Sequence, residues 1–135
     1  MGERVRAAKI GADKPLVVLV HRPSLLRHWM ERALEKNYRL CMFSGGEEAL
    51  AFVRSTPKLD AIVTDLDFGS SDSKGASIAR KVRKRFPNAP IFMFATDDHQ
   101  DPRLLILRNL KGIRFLSAFG AFFIERAIKN ALERK

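Results

Sequence analysis

Apolar and polar positions along the chain fall into short blocks whose period switches back and forth. Leu16–Val20 (LVVLV) is an unbroken apolar run, the pattern of a strand buried on both faces. Pro23 and Ser24 open a segment reaching about Lys36. In it Leu26, Trp29, Met30, Ala33 and Leu34 recur at helical spacing and predict one inward stripe. Residues 38–43 (YRLCMF) are of mixed character and predict a strand at the sheet's edge. SGG at 44–46 is a turn, after which Ser44 or Gly46 starts a helix to Arg54. Glu47 and Glu48 lie in its first turn, where they complement the helix dipole. Residues 60–64 predict a third strand, and the polar stretch 65–74 a loop. A helix over 76–85 comes next, with Ile78, Val82 and Phe86 inward and Arg80, Lys81, Arg83, Lys84 and Arg85 mostly outward. Ile91–Ala95 is another apolar strand. A helix over 102–110 stopped by Gly112, a strand over 113–117 and a helix over 121–133 complete the series. The last helix places Ile124, Ala127, Ile128 and Ala131 inward.

Five strands alternating with five helices form the βαβ pattern of a parallel sheet covered on both faces. The first, third and fourth strands are the most apolar. The predicted fold is therefore a flavodoxin-like, three-layer, doubly wound α/β domain with five parallel strands in the order 2-1-3-4-5. Residues 1–14 lack periodicity and carry Arg4, Arg6, Lys9 and Lys14. They predict a flexible basic lead-in, with the domain spanning 15–135.

The candidate chemistry sits in Asp60–Asp67 (DAIVTDLD). In an open α/β sheet, reacting groups gather at the carboxyl ends of the strands, and Asp65 and Asp67 come just after the third one. The same pair can equally solvate a loop and cap the next element. Composition adds a formal net charge of +10, which suits an acidic partner: nucleic acid, anionic lipid or an acidic protein face. RKVRKR at 80–85 can meet phosphates, but no recognition-helix motif or aromatic platform accompanies it. A single cysteine, Cys41, excludes an internal disulfide, and no apolar run approaches spanning length. A reducing, cytoplasmic setting with no membrane insertion is expected. His28 and His99 have no ligand spacing, so no protein metal centre is predicted from them.

At these residues the chain resembles the receiver domains of bacterial two-component response regulators, over residues 15–134. PLVVLV stands at the first strand, FSGGEEAL at 43–50 resembles the turn into the second helix, LDAIVTDLD at 59–67 the phosphoacceptor strand and APIFMFAT at 89–96 the fourth strand. The resemblance puts Asp65 at the phosphorylated aspartate. Its departures surround that residue. The two acids that hold Mg²⁺ in receivers are replaced by His21 and Arg22. The hydroxyl residue ending the fourth strand falls on Ala95, with Thr96 one place later. The lysine ending the fifth strand becomes Ser117 or Ala118, and the aromatic switch residue Arg114 or Phe115. Gly75 comes about two residues late.

Phosphoryl transfer to a carboxylate relies on a metal and fixed cations to neutralise charge, and Mg²⁺ requires oxygen ligands. Replacing an acidic pair by His21 and Arg22 removes ligands and repels the ion. The expectation is a degenerate, stand-alone receiver without enzymatic activity or cofactor, its Mg²⁺ binding lost or weak. Arg22 is expected to pair with Asp65 or Asp67. Output would pass by protein–protein contact, to an acidic partner or a second copy. The expected contact face is Leu104, Leu105, Ile106, Leu107 and Arg114, because one helical stripe cannot bury four consecutive apolar residues. Three alternatives stay open. Asp65 is still phosphorylated in an active receiver, the chain is a basic nucleic-acid-binding module, or TDLDFGS is the nucleophile motif of a phosphatase of haloacid-dehalogenase type.

Overall fold

The computed structural model describes residues 4–6, 14–66, 74–95 and 107–133. Its elements run β1 (Arg4–Arg6), β2 (Leu16–Val20), α1 (Leu25–Leu34), β3 (Arg39–Phe43), α2 (Gly46–Ser55), β4 (Ala61–Asp65), α3 (Lys74–Arg85), β5 (Ile91–Phe94), β6 (Ile113–Leu116), a 3₁₀ segment (Ala118–Phe123) and α4 (Ile124–Glu133). The sheet order is β1-β3-β2-β4-β5-β6. Strands β2 to β6 pair in parallel, so the five-stranded order is the expected 2-1-3-4-5.

Side chains of successive strand residues point to opposite faces, and the chain uses both. Val18, Val20, Ile62, Ile91 and Met93 pack with Ala49, Leu50 and Val53 of α2 and with Ile78, Ala79 and Val82 of α3. Val17, Leu19, Leu40, Met42, Val63 and Phe92 pack with Met30 and Leu34 of α1 and with Ile124, Ile128 and Ala131 of α4. Complete burial of all five β2 residues results from this double cover. Ser24 caps α1, its Oγ accepting from the Arg27 amide at 3.1 Å, a bond worth about 1 kcal/mol. Asp60 fixes the entry to the sheet: its Oδ2 accepts from the Leu16 amide at 2.8 Å and lies 3.7 Å from Lys58 Nζ.

Several expectations change in the structure. The lead-in is not without structure throughout. Arg4–Arg6 pairs antiparallel with β3 (Arg4 with Met42, Arg6 with Leu40), so β3 is not the outermost strand. β4 extends one residue further than its apolar run, because Asp65 still pairs with Phe94. The chain after β6 takes a 3₁₀ path from Ala118 before α4 begins at Ile124. Trp29 is not a core residue of α1. It is 38% exposed and meets Phe122 edge to face, with ring centroids 5.1 Å apart.

The basic face of α3 is also rearranged. Arg83 turns back along the sheet edge. Its Nε donates to the Lys111 carbonyl at 2.7 Å, Nη1 to those of Phe86 and Pro87 at 3.0 and 2.8 Å, and Nη2 to that of Ala89 at 2.8 Å. Arg85 Nη1 donates to the carbonyls of Val53 and Thr56 at 2.6 and 2.7 Å, closing the end of α2. Two of the five cations expected on the outer face are thus engaged by backbone carbonyls.

Candidate functional site

β2 and β4 are neighbours in the sheet, so their carboxyl ends lie side by side and bring His21 to Asp65. His21 is held at three points. Its amide donates to the Phe43 carbonyl at 3.0 Å, its carbonyl accepts from Arg27 Nη1 at 3.0 Å, and its ring packs edge-on against Phe94 at 5.8 Å. The ring's Nδ1 lies 2.9 Å from the Arg22 carbonyl. A carbonyl only accepts, so Nδ1 carries the proton in this arrangement. Nε2 then faces Asp65 Oδ1 at 3.5 Å, with both side chains 13% exposed.

Of the two partners expected for Arg22, Asp67 lies outside the described residues; among the described contacts, the residue beside Asp65 is His21, while Arg22 is exposed and contributes its carbonyl. Arg22 is one residue beyond His21 at the strand end, where successive side chains point apart. Arg27 was not anticipated. It lies in the first turn of α1, against the sense of the helix dipole, and its Nη1 also donates to Ser44 Oγ at 2.8 Å. The signal was a cation three residues after the capping Ser24. Arg27 ties the loops after β2 and β3 together and thereby positions His21.

Beneath Asp65 the backbone is tightly packed. The Leu66 amide donates to the Phe94 carbonyl at 3.1 Å, and the Gly75 amide to the Leu66 carbonyl at 3.2 Å. A Cβ on Gly75 would stand 2.2 Å from the Asp65 carbonyl oxygen and 2.6 Å from Leu66 Cα. Only glycine lets α3 approach the strand end so closely. Thr64, fully buried, donates from Oγ1 to the Asp65 carbonyl at 3.0 Å.

The other expected residues are dispersed. Ala95 is partly buried, its amide donating to the Leu116 carbonyl at 3.3 Å. Ser117 is exposed just past β6. Arg114 is exposed on β6 with its guanidinium 5.8 Å from the Phe92 ring centroid. Leu107 is fully buried in the α2–α3 side of the core, so it drops out of the expected contact face. Asp67, Thr96, Leu104, Leu105 and Ile106 lie outside the described residues. As for a receiver's Mg²⁺, no three His, Cys, Asp or Glu side chains among the described residues group to hold a metal ion. An imidazole beside Asp65, its Nδ1 committed to a carbonyl, is a poor donor set for an ion that requires oxygen ligands. The described residues around Asp65 therefore do not fit Mg²⁺. No helix among the described residues is long and apolar enough to cross a membrane.

Solved structures with this fold are numerous. A response regulator receiver protein from Sinorhizobium medicae superposes with a TM-score of 0.75 at 20% identity, covering 90% of this chain and 97% of its own. The receiver domain of a sensor histidine kinase from Pseudomonas aeruginosa, described with magnesium in its active-site cleft, gives 0.68 at 20% identity and covers 89% and 98%. The lysine decarboxylase LdcF from Francisella novicida gives 0.61 at 18% identity. This chain is covered to 89% there but spans only 18% of that enzyme. At such identities the likeness establishes the receiver fold. No curated protein matches the sequence significantly. The family described as "Orn/Lys/Arg decarboxylase, N-terminal domain" matches residues 27–134, from within α1 to the end of α4. That is most of the folded chain, and it lies on the fold that the receivers share. The chain therefore belongs to the family of Orn/Lys/Arg decarboxylase N-terminal domains, built on the receiver fold.

Proposed function

We propose that this chain is an atypical receiver domain that acts in signal transduction through protein–protein contact, with no catalytic activity of its own and no phosphorylation cycle. The observation that carries this reading is His21 beside Asp65 at 3.5 Å. A receiver's phosphoryl chemistry needs a divalent cation next to the aspartate. Here the His21 imidazole occupies that side and offers the ion no oxygen ligand. Mg²⁺ binding is accordingly lost or weak. The family match supports the same direction, because LdcF carries this fold over less than a fifth of its length. The partner is a protein in the cytoplasm, and the net charge of +10 favours an acidic one. The nucleic-acid reading is weakened by the engagement of Arg83 and Arg85 with backbone carbonyls.

Incubation with acetyl phosphate and Mg²⁺, read by intact mass, tests this. The expected result is no adduct, and no change in spectrum with beryllofluoride. A stoichiometric phosphate adduct that vanishes in Asp65→Ala overturns the reading and makes the chain an active receiver.

A further inference from the structure

The largest exposed apolar side chains described in the structure gather on one side of the molecule, where α1 and the 3₁₀ segment meet. Leu25 is 86% exposed, Trp29 38%, Phe122 50% and Phe123 56%. Trp29, Phe122 and Phe123 line an open groove of about 500 Å³ that continues between α1 and α4. Its volume falls within the range of binding clefts, roughly 300–1,000 Å³. Aromatic side chains held at the wall of a groove are what binding hot spots are made of. The Trp29–Phe122 edge-to-face contact fixes their geometry before anything binds.

Charge decides the occupant. Lys36 and Arg126 also line the groove, against one carboxylate, Glu125, which already accepts from Asn37 Nδ2 at 3.5 Å. A second copy of this chain would bring the same basic rim and another +10 of net charge to a two-fold contact, where each patch meets itself. An acidic segment meets neither cost. We infer that the groove between α1 and α4 docks an acidic peptide segment of a partner protein, its bulky apolar side chains against Trp29, Phe122 and Phe123 and its carboxylates toward Lys36 and Arg126. This rests on the contact-domain reading and names its surface and partner chemistry. That surface lies on the other face of the sheet from the site where Leu107 is buried.

Trp29 is the single tryptophan, so its emission reports on the groove directly. The probe is a random dodecapeptide display library selected on the full chain, with enriched sequences resynthesised without tryptophan. The expected outcome is enrichment of Asp- and Glu-rich peptides carrying Leu or Phe. These should shift Trp29 emission on titration and bind more weakly as salt rises. Phe122→Glu and the double change Lys36→Glu with Arg126→Glu should each weaken binding about tenfold or more. Circular dichroism and unfolding midpoints establish that the variants fold, and the charge reversal decides the matter if Phe122→Glu does not. No enrichment, enriched peptides without acidic bias, or binding indifferent to both changes overturns the inference. So does a dimer, seen by sedimentation, that Phe122→Glu dissociates. The acetyl phosphate experiment is independent of this groove, so the two readings fail separately.

Discussion

Replacing Arg83 by alanine removes one guanidinium and withdraws a donor from four backbone carbonyls: those of Phe86, Pro87, Ala89 and Lys111. The four do not count equally. The contacts to Pro87 and Lys111 are solvent-exposed, and water can replace the lost donor there at little cost. Those to Phe86 and Ala89 are partly buried; the Phe86 carbonyl still accepts from the Ala89 amide at 3.1 Å, so the Ala89 carbonyl is the one that loses its described donor, at about 1–3 kcal/mol. The predicted loss for Arg83→Ala is therefore about 1–3 kcal/mol, or roughly 3–12 °C in melting temperature for a domain of this size. Burial disfavours the charged form of Arg83 and lowers its pKa, yet a guanidinium stays protonated at any ordinary pH, so the cation is present throughout the assay. Arg83→Lys keeps the charge but loses the planar fork that reaches several carbonyls at once, and should recover less than half of the stability. Urea denaturation with a fixed slope measures both. An Arg83→Ala variant within about 0.5 kcal/mol of the parent would refute the view that this side chain holds the α3–β5 turn to the approach of β6.

Two further outcomes arise from the packing. Gly75→Ala forces a methyl group against the backbone of Asp65 and Leu66, neither of which is a flexible side-chain end, and should cost about 1–3 kcal/mol in the same denaturation assay; an unchanged midpoint would dismiss the close approach of α3 to the strand end. Burial pushes the Cys41 thiol pKa up, only partly offset by Arg39, so alkylation by iodoacetamide at pH 8 should be slow until the chain unfolds. The unfolded thiol ionises first, at a pKa near ~8.5, so stability should fall as pH rises past that value, and less steeply in Cys41→Ala; equal slopes would contradict this.

Periodicity carried most of the fold because burial on two faces leaves an unmistakable trace. LVVLV and IFMF contain no polar position to misplace, AIVT contains only the buried Thr64, and helices α3 and α4 turn inward the residues their spacing nominates. Trp29 defeated the same reasoning because apolar spacing marks a stripe without marking its width; Met30 and Leu34 fill the centre, and Trp29 is left at the margin with Phe122. Arg83 and Arg85 sit in a run whose charge predicts solvent, and nothing local reveals that carbonyls of distant turns lie within their reach. Asp65 was legible from its place after an apolar strand. The identity of its neighbour was not, because the choice between His21 and Arg22 depends on which way each side chain leaves the last turn of backbone.

The three residues of β1 carry a consequence out of proportion to their length. A strand such as β3, with the apolar run LCMF, offers unpaired amides and carbonyls to any extended chain if left at the border of a sheet. Arg4–Arg6 occupies that border in antiparallel register. Its three residues, RVR, contain no apolar run that could serve as a template. The β3 border of the described sheet is thereby taken up, and self-templated β assembly is left the opposite border, β6, where Arg114 stands exposed as a repelling charge.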